Sequence, residues 1–132
     1  MRRAEGEREI LVLSAVDPAN PYGWVLPWPE RDGPRRAAAR RVAGASVVLV
    51  DGEPVLYVPP RSRKLATFPA ADDRDTLIAA AAALDSIAAR KRGKALRIEE
   101  IDGDSASSSP HAEPLQAAGF RSGYRGLDLE LP

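Results

Sequence analysis

Residues 45–58 read ASVVLVDGEPVLYV, and this stretch decides the fold class. Ala45 to Val50 and Val55 to Val58 are rich in β-branched residues, the composition of strands. Asp51-Gly52 stands between them. That pair supplies the positive φ angles of a two-residue hairpin turn, whose twist suits the flanking strands. Both runs are apolar at odd and even positions alike: Val47 and Leu49 alternate with Val48 and Val50. A strand with one wet face would alternate with polar residues, so the pair is expected to be central and covered on both sides.

Working outward, Ile10 to Leu13 reads as a short strand ahead of the hairpin, and Lys64 to Phe68 as a third strand behind it. Pro59-Pro60 and Arg61-Ser62-Arg63 form the loop between. Asp72 to Arg92 reads as one long helix. Asp72, Asp73 and Asp75 lie at its start, Arg90, Lys91 and Arg92 at its end, and Gly93 follows, in accord with the helix dipole and capping preferences. Leu77, Ala81, Leu84 and Ala88, flanked by Ile78 and Ile87, make one apolar stripe. Leu96 to Ile101 reads as a further strand and Asp102 to Ser109 as a polar loop. Ser109-Pro110 looks like a helix start, but Pro114 keeps that helix short and lets it begin as late as Glu113; Gly119 ends it. Leu127, Leu129 and Leu131 alternate with Asp128 and Glu130, the pattern of a half-exposed strand. Short turns between successive strands favour antiparallel pairing. The expected fold is α+β: one mostly antiparallel sheet with one long and one short helix packed against it. Residues 1–9 are polar and expected to be a disordered N-terminus, with 10–132 a single domain.

A chain of 132 residues can bury one modest core. It has no cysteine, which excludes a disulfide framework and a thiolate metal site and suits a reducing cytoplasm. No apolar run reaches the roughly 18 residues of a membrane span, so no membrane contact is expected. The net charge is zero, yet Gly33 to Arg97 holds 13 Lys/Arg against 6 Asp/Glu, a balance of +7 that the remainder cancels. Its basic groups are Arg35, Arg36, Arg40 and Arg41; Arg61, Arg63 and Lys64; and Arg90, Lys91, Arg92 and Lys94. Such groups either form an ordinary solvated surface or neutralise nucleic-acid phosphates.

The stretch Leu13 to Pro29, LSAVDPANPYGWVLPWP, holds Pro18, Pro21, Pro27 and Pro29 beside Tyr22, Trp24 and Trp28. Proline excludes a helix or a sheet interior, and flexible linkers are poor in aromatics. The stretch therefore reads as an ordered loop that lays rings on a surface. Two uses of the rings stand open: they pin the loop to the core, or they stack the bases of a single strand.

Little else in the chain carries chemistry. Gly93-Lys94 lacks the first glycine and the hydroxyl residue of a phosphate-binding loop, since Ala88 and Ala95 occupy those positions. His111 is the single histidine, too few for a nitrogen-ligand zinc site. Ser105 to Ser109 lacks a base at readable spacing. Glu99, Glu100, Asp102 and Asp104 read as a solvated strand end and turn.

The DPANPYG and LPWP strings resemble the C-terminal region of Lhr-type (large helicase-related) superfamily 2 ATP-dependent DNA helicases. The resemblance continues in order through Gly44–Val50 with Asp51-Gly52, Leu56-Tyr57, Lys64–Phe68, Ile101-Asp102-Gly103, Ser109-Pro110, Ala118-Gly119-Phe120 and Arg125-Gly126-Leu127. A tryptophan at position 24 departs from the small residue that family tends to carry there. The resemblance implies an accessory module that packs on motor domains or another protein and helps to hold DNA, single-stranded and weakly. The contacts would come from Arg61, Arg63, Lys64, Arg90, Lys91, Arg92 and Trp24. ATP and magnesium are implied only for the family's motor domains, so no catalytic residue, metal or cofactor is expected in this chain. The competing reading is a protein-interaction scaffold that never touches DNA.

Overall fold

The computed structural model describes residues 8–29, 39–60, 63–90, 95–123 and 126–130. Among them, nine strands form two sheets. The larger has six strands: β1 (Ile10–Ser14), β2 (Ser46–Val50), β3 (Glu53–Val58), β4 (Lys64–Thr67), β6 (Glu100–Ile101) and β7 (Asp104–Ser105), side by side in that order. All its pairings are antiparallel except that of β4 with β6, which is parallel. The smaller sheet places β9 (Gly126–Glu130) between β5 (Ala95–Ile98) and β8 (Arg121–Gly123).

The central hairpin forms as its sequence demands. Asp51 and Gly52 take φ of 53° and 84°, the left-handed pair of a tight turn. The ladder slips between Val48, opposite Leu56, and Leu49, opposite Pro54, so Val55 is an inserted residue. Val47 to Val50 are all buried, and the two faces feed two cores. One face packs Val48, Val50, Leu56 and Val58 against Leu77, Ala81, Leu84, Ile87, Leu115 and Leu127. The other gathers Val47, Leu49, Tyr57, Ala66 and Phe68 with Ala15 and Ala45, and is covered by Tyr22 and Trp28.

The long helix is in fact broken. Pro69–Asp72 forms a 3₁₀ turn, α1 spans Arg74–Ala82, and α2 spans Leu84–Arg90. Asp73 sets the start: its carboxylate accepts from the backbone N–H of Thr76 (3.0 Å) and from the Thr76 hydroxyl (2.6 Å). At the break, Ala83 N–H closes a tight bond to Ala80 O at 3.1 Å, and the Ser86 hydroxyl takes the Ala83 carbonyl at 2.8 Å. A side chain that competes for a backbone carbonyl loosens a helix without glycine or proline. Leu77, Ala81, Leu84 and Ile87 are buried as the stripe requires and Ile78 half-buried; the Ala88 side chain lies outside the described ones.

The expected single sheet is two because residues 95–101 serve both. β5 pairs with β9, then the chain steps across at Glu99 so that β6 can join β4. The N–H groups of Glu99 and Glu100 both reach the Arg63 carbonyl, at 2.7 and 3.3 Å. A Cβ on Gly126 would overlap the Ile98 carbonyl and the Glu99 backbone, so glycine is what lets β9 approach the crossing point. The polar loop at 102–109 contains a second tight turn, Asp102-Gly103 with φ of 54° and 88°, between β6 and β7. The third helix, α3, spans Ala112–Ala117. Ser109 accepts from the His111 N–H at 3.0 Å rather than capping the helix itself. Pro114 is its third residue, where an N–H would have no intrahelical partner. Gly119 ends it at φ 121°.

Residues 1–7, part of the expected disordered terminus, lie outside the described residues. Arg8 and Glu9 are held. Glu9 exchanges hydrogen bonds with Asp51, through its carbonyl at 2.8 Å and its N–H at 3.0 Å, and Arg8 donates to Thr76 Oγ1 at 2.7 Å. Among the described residues no helix is long and apolar enough to cross a membrane.

Candidate nucleic-acid interface

The loop after β1 is built by its own polar groups. Asp17 turns the chain by accepting the Ala19 N–H on its side chain at 2.8 Å. Asn20 is fully buried; its amide donates to Ala15 O at 2.9 Å and its carbonyl oxygen accepts from Tyr22 N at 3.1 Å. The Pro21 carbonyl then collects the N–H groups of Trp24, Val25 and Leu26, and Gly23 N–H closes the turn on Leu26 O at 2.8 Å. Gly23 takes φ 79°, and a Cβ there would overlap the Trp28 indole and crowd Arg41.

The three rings divide. Trp28 lies between Tyr22 (6.0 Å, 26° between planes) and Phe68, with Tyr57 edge-on at 6.0 Å. Tyr22 further donates to Gly52 O at 3.2 Å. These two pin the loop to the hairpin. Trp24 does not: it is 68% exposed.

Trp24 is nonetheless held. The Arg41 guanidinium sits 5.7 Å from its ring centroid, a cation–π distance. Arg41 is itself anchored, donating from Nη1 to Asn20 O (2.6 Å) and Tyr22 O (3.2 Å) and from Nη2 to Asp17 O (3.4 Å). Arg40, its neighbour, is exposed, and its carbonyl is fixed by the Tyr57 hydroxyl at 3.0 Å. The result is a ring presented to solvent on a braced backbone, with the Arg41 guanidinium beside it. Val25 at 69%, Leu26, Val16 and Val42 are exposed as well.

The basic residues chosen from the sequence fare differently. Arg61, Lys91 and Arg92, and the side chain of Arg90, lie outside the described residues. Arg63 and Lys64 are exposed, but each meets a carboxylate: Arg63 Nη1 is 3.2 Å from Glu99, and Lys64 Nζ is 4.0 Å from Glu100. The parallel pairing of β4 with β6 brings those charges together. Among the described residues, the basic side chain that meets the Trp24 ring is that of Arg41. Arg41 is the residue whose role the sequence reading missed; only its place in a basic run marked it.

Asp102, read as part of a solvated turn, has a structural task. It accepts from Thr67 N–H at 2.8 Å and from the Thr67 hydroxyl at 2.6 Å. Arg97 donates from Nε to the Asp128 carboxylate at 2.9 Å, and that hydrogen bond raises the pKa of the Arg97 guanidinium above its ordinary value. Among the described residues no group of three His, Cys, Asp or Glu stands close enough to hold a metal ion.

No family model matches the chain. Curated relatives align with nearly all of it. A protein of Mycolicibacterium smegmatis named Lhr helicase/probable uracil glycosylase is 38% identical over 130 residues, 93% of this chain. A protein of Escherichia coli named Lhr helicase/uracil glycosylase is 32% identical over 120 residues, 89% of this chain. The chain spans 8% of the length of each.

Proposed function

With the chain matching a small part of Lhr helicase proteins, we propose that this helicase-associated region is an accessory module that holds single-stranded DNA weakly, by stacking a base on Trp24. The observation that carries the reading is the exposed Trp24 ring, braced by an Arg41 that three backbone carbonyls anchor. A ring fixed before the ligand arrives loses little freedom on binding, and stacking on such a platform is worth about 1–3 kcal/mol per base. Arg41 supplies positive charge beside it, and the exposed Arg40, next in sequence, adds to that charge for the phosphate backbone. Both activities named for the relatives use bases outside a duplex stack: a helicase exposes single strands, and a glycosylase reads an extruded base. ATP turnover would belong to motor domains outside this chain, whose sequence lacks a phosphate-binding loop.

The test is fluorescence anisotropy with a labelled single-stranded oligonucleotide at several salt concentrations. Trp24→Ala should weaken binding roughly tenfold and leave the salt dependence unchanged, because stacking releases few counterions. Arg40→Ala should flatten the log–log salt slope by about 0.7. Changing Arg63 and Lys64 together should flatten it less, since each already faces a carboxylate. Absence of binding at low salt would overturn the reading. The second reading, packing on another protein, is favoured by the exposed apolar residues Val25 and Leu26, which follow Trp24 in its turn, and by Val16 and Val42, which are exposed as well.

A further inference from the structure

Strand β1 ends the larger sheet: among the described residues it pairs with β2 alone. The direction of its main-chain groups follows from the register. Asp51 N–H bonds Glu9 O, and Ala15 N–H bonds Ala45 O. Hydrogen-bonded pairs alternate in an antiparallel ladder, so Glu9, Leu11 and Leu13 turn away from the outer edge, toward β2 and its turn, and Ala15 turns its N–H the same way. Ile10 and Val12 then present both groups to the outer side. Ser14 presents its N–H there, while its carbonyl accepts from Asp17 at 3.0 Å.

Edge strands ordinarily carry a charge, a proline, a bulge or extreme shortness that blocks further pairing. The other edges in this fold do. β7 has two residues and begins with Asp104, β8 has three with an exposed Arg121, and β5 carries Arg97. β1 reads ILVLS and has none of these devices, and its five residues run in unbroken register with β2. Its side chains extend both cores: Val12 packs on the helix side and Leu13 on the loop side. Ile10 and Leu11 are large apolar residues left exposed, one on each face.

We infer that β1 is a strand-addition site that takes an extended, uncharged, apolar segment of another polypeptide. The segment pairs its main chain with Ile10, Val12 and Ser14 and covers Ile10 and Leu11. The edge itself dictates this occupant. Donors and acceptors spaced two residues apart match an extended backbone; a helix has spent those groups internally. Apolar side chains on both faces match a strand that continues a sheet covered on both faces. This inference is independent of DNA contact at Trp24.

The test uses amide hydrogen exchange by nuclear magnetic resonance on the full chain. The probe is a blocked, uncharged peptide about eight residues long, with valine at positions on both faces and threonine only at its ends. In the free chain the amides of Ile10, Val12 and Ser14 should exchange faster than those of Leu11 and Leu13. The peptide should slow the first three. The same peptide with every second amide N-methylated keeps its side chains but loses the ladder, and should bind about tenfold more weakly. Ile10→Pro removes an outward N–H that β2 does not use, so the chain should still melt cooperatively while peptide affinity falls by a similar factor. Equal binding of the methylated peptide overturns the inference, as do a parent peptide that fails to bind and outward amides already protected in the free chain. The methylated peptide decides the matter on the unaltered chain even if Ile10→Pro fails to fold.

Discussion

The indole of Trp28 lies flat on the ring of Phe68, with 5.7 Å between centroids and 3° between planes. That contact fastens the proline-rich loop to the end of β4. Trp24, four residues earlier, sits in a turn closed by Gly23 and Leu26 and faces solvent. Two identical side chains in one loop therefore do opposite things.

Truncation separates them. Trp28→Ala removes a ring packed on three others and should cost about 3 kcal/mol. Trp24→Ala should leave the melting temperature nearly unchanged. Thermal melts of both variants check this; equal losses would mean that the exposed ring is also structural.

Two positive-φ glycines, Gly23 and Gly52, make a second contrast. Gly23→Ala meets both an unfavourable backbone region and the Trp28 indole, whereas Gly52→Ala, at φ 84°, meets open space. Gly52→Ala should cost about 1 kcal/mol and Gly23→Ala distinctly more. Denaturant midpoints give the comparison, and Gly23→Ala should also weaken oligonucleotide binding by releasing the loop that carries Trp24.

Asp102 offers a third. Its carboxylate serves both the N–H and the hydroxyl of Thr67, a fully buried residue. Asp102→Ala withdraws that acceptor and should destabilise by about 2–3 kcal/mol. Asp102→Asn keeps one acceptor oxygen and tolerates φ 54°, so it should cost less. Chemical denaturation of the two variants orders them, and a neutral Asp102→Ala would remove Asp102 from the account of the β4–β6 junction.

Acid should loosen the helices in a defined direction. Hydrogen bonds from the Thr76 side chain and then its backbone hold the Asp73 carboxyl below its ordinary value. The hydrogen bond from Arg74 does the same for Glu113, across the α1–α3 contact. A depressed carboxyl contributes stability that is complete above its unfolded-state value and is lost as the pH falls through the folded one. Melts of the native chain and of Asp73→Ala combined with Glu113→Gln should differ near neutral pH and converge in acid. A gap that stays constant with pH would assign the effect to something other than these carboxylates.

What the sequence by itself determined was local. Asp51-Gly52 specifies a turn through backbone angles that few other pairs adopt. The run Val47 to Val50 specifies burial on two faces, because every side chain in it avoids water. Gly119 ends a helix, and the proline-aromatic loop is ordered, since each signal acts within a few residues. The tertiary structure decided the rest through pairs distant in the chain. The 95–101 run divides at Glu99 because β9 and β4 compete for it, and neither competitor is visible from the run itself. Arg63 and Lys64 meet Glu99 and Glu100 only because β4 and β6 lie parallel. Trp24 is a held, exposed ring only because Arg41, seventeen positions away, reaches back to the carbonyls of its loop. Periodicity and turn chemistry report how a segment meets water; which partner satisfies it depends on the three-dimensional contest for hydrogen bonds and apolar surface.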